Sequence, residues 1–273
     1  MSATFALALG GGGARGLAHI HVIEALDELG IKPVAIAGSS IGAIMGAGMA
    51  AGLSGREIHE HARSVLGRPA EVASRMWRAR PGTLSEMVES GIRVTQFNVE
   101  RIVKAFLPEA VPGTFEELKL PLKVTATDFY GGCQAVFEQG ELISALAASA
   151  AIPAVFRPVT RGNTLYIDGG IYNPVPFDLL DGLADFTIAI DVVGVPMESD
   201  ARRLNSIDLM FGATQLMMQS ITAGKLAQSQ PDIFLRPPVS RFRALDFLKI
   251  DQVLAETAAL KEELKQAVDE ILQ

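Results

Sequence analysis

The sequence predicts an α/β fold on a mostly parallel sheet, and three observations carry that expectation. A continuous apolar run, Phe5–Leu9, leads into glycines 10–13 and then into a helical pattern. A second apolar run, residues 34–37, leads into Gly38-Ser39-Ser40-Ile41-Gly42 and a helix of small residues. Neither run alternates polar with apolar, as expected of strands buried on both faces, and strand–helix–strand–helix order is how a parallel α/β sheet begins.

The first helical pattern covers residues 14–29, with Leu17, Ile20, Ile23 and Leu26 at helical spacings and Gly30 as its stop. The helix after Ser40 ends near Gly52. Capping boxes pair Ser54 with Glu57, Thr83 with Glu86 and Thr114 with Glu117, each marking a helix start, and Asn98 caps a helix running to Leu107. Residues 122–127 and 135–137 read as strands, the second following the turn Tyr130-Gly131-Gly132. Residues 141–148 are helical, and 165–167, 186–192 and Ile233–Leu235 are strands. Residues 251–273 close the chain as an amphipathic helix through Val253, Leu254, Leu260, Leu264, Val268 and Ile271. No Ser/Pro-rich linker divides the chain, so residues 1–273 are expected to form a single domain.

Composition narrows the class of partner. Apolar residues make up 49% of the 273 and charged residues 20%, enough for a core and too apolar for disorder. The formal charge of −7 disfavours nucleic acid, which requires a clustered basic surface, and disfavours a purely electrostatic hold on anionic lipid. Arg75, Arg78 and Arg80 form a local basic patch that reads as solvated surface. Cys133 is the only cysteine, so no intrachain disulfide forms, and a reducing compartment fits. The first nine residues lack a basic leader and run straight into glycines, which reads as a strand rather than a signal peptide. Residues 41–53 are too short and too rich in Gly and Ala to span a bilayer. A soluble, cytoplasmic protein is expected, with transient contact at the inner membrane surface left open.

Gly11, Gly13 and Gly16 form G-x-G-x-x-G between strand and helix, where a dinucleotide fingerprint would stand. That fingerprint also needs an acidic residue at the end of the second strand to hold the ribose. The chain has Ile36, Ala37 and Gly38 there, while Asp27 and Glu28 fall inside the first helix. Leu17 stands where a P-loop needs lysine. Two readings remain for the loop: glycine amides at a helix start that hold an oxyanion, or a tight turn without chemistry.

Gly38-Ser39-Ser40-Ile41-Gly42 fits G-x-S-x-G, the sharp turn that pushes a serine hydroxyl out at the carboxyl edge of a sheet, with the Ile41 amide next to it. Serine needs a base. The four histidines are His19, His21, His59 and His61, so none follows Ser40 at the distance a Ser–acid–His order demands, and no Cys or carboxylate cluster completes a zinc site with them. Each reads as an ordinary surface or half-buried side chain. A carboxylate is left as the base. Asp168, after the apolar residues 165–167 and before Gly169-Gly170, is the best candidate, because partial burial would raise its pKa; the alternative is an Asp that merely opens a turn.

Gly11-Gly12-Gly13-Ala14-Arg15-Gly16, Gly38-Ser39-Ser40-Ile41-Gly42 and Asp168-Gly169-Gly170 together resemble the patatin-like phospholipase family, whose blocks are G-G-G-x-R-G, G-x-S-x-G and D-G-[GA]. Residues 148–158, from Ala148-Ser149 through Pro153 and Phe156 to Pro158, resemble its A-S-x-x-x-P-x-x-F-x-P segment, and Asn173-Pro174 also fits. The resemblance implies a three-layer α/β/α sandwich and a Ser40–Asp168 dyad that hydrolyses fatty-acyl esters, phospholipid or lysophospholipid among them. It implies an oxyanion hole around Gly11, Gly12 and Gly13 with Ile41, a supporting part for Arg15, and no metal or organic cofactor.

Residues 207–226 hold Leu209, Met210, Phe211, Leu216, Met217, Met218 and Ile221. This segment reads either as a helix lining an acyl channel or forming a lid, or as a core helix with methionine filler. Two other functions compete with ester hydrolysis: acyl transfer or thioester cleavage by the same dyad, and a nucleotide-binding or regulatory module with a look-alike loop.

Overall fold

The structure is a computed structural model that describes residues 3–68, 98–198 and 206–273. The Thr83–Glu86 capping box and the Arg75, Arg78 and Arg80 patch lie outside the described residues.

Among the described residues, eight strands form one sheet: β1 (Phe5–Leu9), β2 (Ala35–Ser39), β3 (Leu122–Asp128), β4 (Cys133–Phe137), β5 (Val159–Arg161), β6 (Thr164–Asp168), β7 (Phe186–Ile190) and β8 (Ile233–Leu235). Their order is β5-β6-β3-β2-β1-β7-β8, with β4 on the other edge of β3. Parallel pairing joins β3, β2, β1, β7 and β8, while β4, β5 and β6 pair antiparallel at the β3 end. The α-helices among the described residues are α1 (His19–Leu29), α2 (Ile41–Ala50), α3 (Gly55–Leu66), α4 (Val99–Phe106), α5 (Leu142–Ser149), α6 (Ser206–Leu226), α7 (Ile250–Glu256) and α8 (Leu260–Ile271).

The two faces of the sheet differ in side-chain size. Leu7, Leu9, Ile36, Val124, Ile188 and Ile190 point to one side and pack with residues of α1, α2, α5, α7 and α8 in the larger core. Ala6, Ala8, Ala35, Ala37 and Ala189 point to the other side, where small side chains let Val175, Phe177 and Leu180 lie close, with Leu226 of α6 against them. Helical layers therefore cover both faces, as a three-layer α/β/α sandwich requires.

Several local expectations are refined. Residues 13–18 wind as a 3₁₀ helix before α1, which lets Arg15 Nε donate back to the Gly12 carbonyl at 3.0 Å. The Ser54–Glu57 box does open α3, but the Thr114–Glu117 box opens only the 3₁₀ turn Phe115–Glu117. The closing helix is broken in two at residues 257–259. Thr257 leaves helical geometry there while its buried hydroxyl donates to the Val253 carbonyl at 2.8 Å, and Leu254 and Leu260 are both buried across the break. Strand β5 answers to no earlier expectation; at three residues its sequence carries too short a pattern to register.

Candidate active site

Ser40 is the single residue between β2 and α2, and its backbone sits at φ 53, ψ −122, a region that residues with side chains rarely occupy. Its neighbours hold it there. The Ser40 amide donates to the Ser149 hydroxyl at 2.8 Å. A Cβ on Gly42 would lie 2.1 Å from the Leu9 carbonyl oxygen, and one on Gly38 would lie 2.5 Å from Ala43 Cα, so both motif glycines are required by close backbone approach. The hydroxyl that this turn presents donates to Asp168 Oδ2 at 2.6 Å.

Asp168 reaches Ser40 through strand register. One edge of β3 pairs first with β2, ending at Ser39 opposite Thr125, and then with β6, beginning at Asp168 opposite Ala126. The end of β2 and the end of β6 thus meet one residue apart on the same strand. Gly169 permits the junction, since a Cβ there would lie 2.3 Å from the Thr125 carbonyl oxygen. Asp168 Oδ1 accepts from the Gly170 amide at 2.8 Å, the Asp168 amide donates to the Ala151 carbonyl, and Thr127 Oγ1 donates to the Asp168 carbonyl at 2.9 Å. Burial pushes the carboxyl pKa up from 3.8 to about 6, against the pull of the Ser40 hydroxyl and the Gly170 amide.

The glycine loop packs directly against this junction. Gly10 donates to the Ile190 carbonyl, and Gly11 donates to the Pro174 carbonyl at 2.9 Å. The expectation that Gly11 offers an oxyanion donor is therefore corrected: its amide is already bonded. Gly11 is needed for proximity, since a Cβ there would lie 3.3 Å from Ser40 Cβ. The amides of Gly12, Gly13 and Ile41 have no acceptor among the described residues. Gly12 abuts the Val192 carbonyl, and Gly13 takes the left-handed φ of 61 against Ala244. Gly16 seats the loop on the elbow, because a Cβ there would lie 2.2 Å from Ile41 Cγ2.

Arg15 is buried, and burial lowers its pKa to about 10 although Asp191 pulls the other way, so it keeps its charge at neutral pH. Asp191, itself buried, accepts from Arg236 Nε at 2.8 Å and from the Val193 amide at 2.9 Å. Arg15 thus braces the Gly12 carbonyl from behind.

The histidines are engaged elsewhere, two of them more deeply than expected. His19 is fully buried rather than half exposed. Its Nε2–H donates to the Gly10 carbonyl at 2.8 Å, and burial lowers its pKa to about 4, outweighing that bond, so the ring is neutral. His21, also buried, bonds the Leu254 carbonyl; His61 bonds that of Phe106, and His59 meets Glu24 at 3.0 Å. Among the described residues no group of three His, Cys, Asp or Glu could hold a metal ion. The sequence offered no pattern for the parts played by His19, Thr127 and Asp191. Ser149 stood inside a recognised block, but only the fold shows its hydroxyl meeting the Ser40 amide.

A core position for α6 is ruled out, since Leu209, Met210, Leu216 and Met217 are exposed. The helix nevertheless borders the site: a Cβ on Gly170 would lie 2.8 Å from the Met218 methyl.

A serine on a strained strand-to-helix turn, bonded to one buried carboxyl and neighboured by free amides, has the parts for nucleophilic acyl chemistry without histidine. Residues 7–181 match the patatin-like phospholipase profile, and the chain belongs to that family. It is 38% identical over 191 residues to an uncharacterized NTE family protein of Mycobacterium bovis, covering 69% of this chain and 49% of the relative. It is 28% identical over 275 residues to lysophospholipase NTE1 of Debaryomyces hansenii, covering 90% of this chain and 17% of that protein. The chain therefore spans about half the length of the first relative and a smaller part of the second. Among solved structures, full-length ExoU of Pseudomonas aeruginosa, in complex with SpcU, aligns with a TM-score of 0.49 at 14% identity, over 99% of this chain and 53% of ExoU.

Proposed function

We propose that this chain is a serine acyl-hydrolase that cleaves fatty-acyl esters through a Ser40–Asp168 dyad. The observation that carries the reading is the 2.6 Å bond from the Ser40 hydroxyl to a buried carboxylate, made at a strained elbow. As Ser40 Oγ attacks the ester carbonyl carbon, Asp168 Oδ2 takes its proton, and the amides of Gly12, Gly13 and Ile41 stabilise the oxyanion. Collapse of the tetrahedral adduct breaks the C–O bond to the alcohol, and the proton on Asp168 passes to that leaving oxygen. Water then attacks the acyl-serine, Asp168 takes its proton, and the acid departs as Ser40 regains its hydrogen. A carboxyl whose pKa lies near 6 is ionised enough at neutral pH to accept a proton and basic enough to hold it briefly. Gly38 and Gly42 hold the elbow, Gly16 and Arg15 support the loop, and Gly169 and Gly170 let Asp168 approach. The family membership supports a lipid ester as substrate, and the name of the yeast relative places lysophospholipids first for trial.

The test is a fluorophosphonate adduct followed by intact mass, with turnover of a short-chain nitrophenyl ester and of a lysophospholipid. One adduct, absent in Ser40→Ala, and a turnover loss of about 10³-fold in Asp168→Asn are expected. An adduct that survives in Ser40→Ala would refute the assignment.

A further inference from the structure

Helix α6 is built with its polar side inward. Leu209, Met210, Leu216 and Met217 are 55%, 40%, 57% and 59% exposed, and the outward positions among them, Ala213 and Ser220, are also uncharged. Gln215, Gln219 and Lys225 turn into the protein instead. Gln215 donates to the Val193 carbonyl at 3.1 Å, Gln219 to the Gly194 carbonyl at 3.1 Å, and Lys225 to the Val175 carbonyl at 2.8 Å. A helix facing water does the reverse, burying its apolar stripe and solvating its polar one.

A separate element makes the same kind of surface. The turn between β3 and β4 exposes Phe129 and, at 83%, Tyr130, whose rings stack edge to face at 5.0 Å. It projects from the end of β3 that lies alongside Ser39, so it rises from the same sheet edge as Ser40. Tyr172, also exposed, stands two residues past Gly170, which Met218 of α6 touches. Helix α6 therefore borders the Ser40–Asp168 pair through Met218, while its outer face, Tyr172 and the β3–β4 turn each present apolar or aromatic side chains to solvent. Exposed apolar side chains grouped on one helix face mark an interaction site, and amphipathic aromatic rings favour a membrane–water boundary.

We propose that these side chains seat the protein on a lipid surface, with the outer face of α6 against the acyl region and Phe129 and Tyr130 at headgroup depth. The identity of the occupant rests on the lipid-ester reading above: the dyad is nearly closed to water, and its ester must leave a lipid phase to reach it. The charge decides the kind of hold. The chain carries −7, and neither the exposed α6 positions named here nor residues 129–133 bear a charge, so attachment is apolar and does not require anionic lipid. Among the described residues no helix is long and apolar enough to cross a membrane, so α6 lies in the interface plane.

The experiment is flotation of the purified chain with phosphatidylcholine vesicles at 0.1 and 0.5 M NaCl. The variants are Leu216→Glu/Met217→Glu and Phe129→Ser/Tyr130→Ser, with Leu183→Glu as a control at an exposed position outside both groups. Wild type and the control are expected to float equally, with less than a twofold change between salts. Each of the two double variants is expected to bind at least tenfold more weakly while keeping its thermal unfolding and its turnover of a water-soluble ester. If the glutamate variant unfolds early, the aromatic variant decides the matter. Wild type that ignores neutral vesicles, or binds only anionic ones, would overturn the seat. So would a wild-type dimer that Leu216→Glu/Met217→Glu converts to monomer, since the face would then be a self-contact. Loss of ester turnover in Ser40→Ala bears on the hydrolase reading alone, because that variant should still float.

Discussion

On the proposed Ser40–Asp168 dyad, the raised Asp168 pKa ties activity and stability to pH in opposite directions, and both limbs are measurable. The folded carboxyl titrates near 6 and the unfolded one near 3.8, with burial as the cause. For activity, the base must be ionised, so kcat/KM should fall about tenfold per unit below pH 6 and hold about a tenth of its plateau at pH 5. For stability the sign reverses. A folded pKa above the unfolded one means the native state binds more protons between the two values, so this contribution is full below 3.8 and is lost as pH rises through 6. With one pKa unit worth about 1.36 kcal/mol, the loss between pH 4.5 and 7.5 comes to about 2 kcal/mol. Asp168→Asn removes the titration and keeps the shape, with the amide oxygen left to accept from Gly170. Urea unfolding of both proteins across that range should show the variant gaining about 2 kcal/mol on wild type as pH rises, even as it loses turnover. Parallel stability curves, or an acid limb of kcat/KM centred near pH 4, would refute the idea that a desolvated carboxyl serves Ser40.

Other consequences follow from single contacts. Gly42→Ala forces a Cβ to within 2.1 Å of the Leu9 carbonyl oxygen and should cost about 3 kcal/mol or more, read as a large fall in Tm or in soluble yield. Ser149→Ala strands the buried Ser40 amide and should cost about 1–3 kcal/mol in urea unfolding, with a fall in kcat greater than any rise in KM; an unchanged kcat would deny Ser149 its part in holding the elbow. Glu24 lies among His59, Lys261 and His21; burial raises its pKa, but the His59 hydrogen bond and the attraction of Lys261 and the two histidines together hold it below 4.5. Its contribution is present above the unfolded pKa and lost as pH falls through the lower folded value, so Glu24→Gln should flatten the acid side of the stability curve.

Much of the site's local geometry is legible in the chain itself. A glycine-flanked serine after an apolar run commits the backbone to a sharp turn, and the crowding at Gly38 and Gly42 is the physical content of that motif. With no histidine beyond His61, a carboxylate is the partner that the sequence leaves for Ser40. The alternation of Leu7 and Leu9 with Ala6 and Ala8 already encodes one thick face and one thin one.

Other features depend on which distant segment arrives beside which. Asp168 meets Ser40 across 128 residues because β6 takes over the edge of β3 one register step beyond β2, and nothing local to Asp168 specifies that pairing. Gly11 and Gly12 look alike in sequence, yet the Pro174 carbonyl occupies one amide while the other meets no acceptor among the described residues. The methionines of α6 suit a core or a surface equally well until its glutamines find the carbonyls of Val193 and Gly194 and turn the apolar side outward. Sequence determined the turns, caps and strand faces, because backbone sterics and side-chain alternation act over a few residues. Tertiary structure decided the Ser40–Asp168 contact, the amides left without an acceptor among the described residues and the exposed apolar face of α6, because hydrogen-bond partners and burial are settled only when remote strands and loops pack.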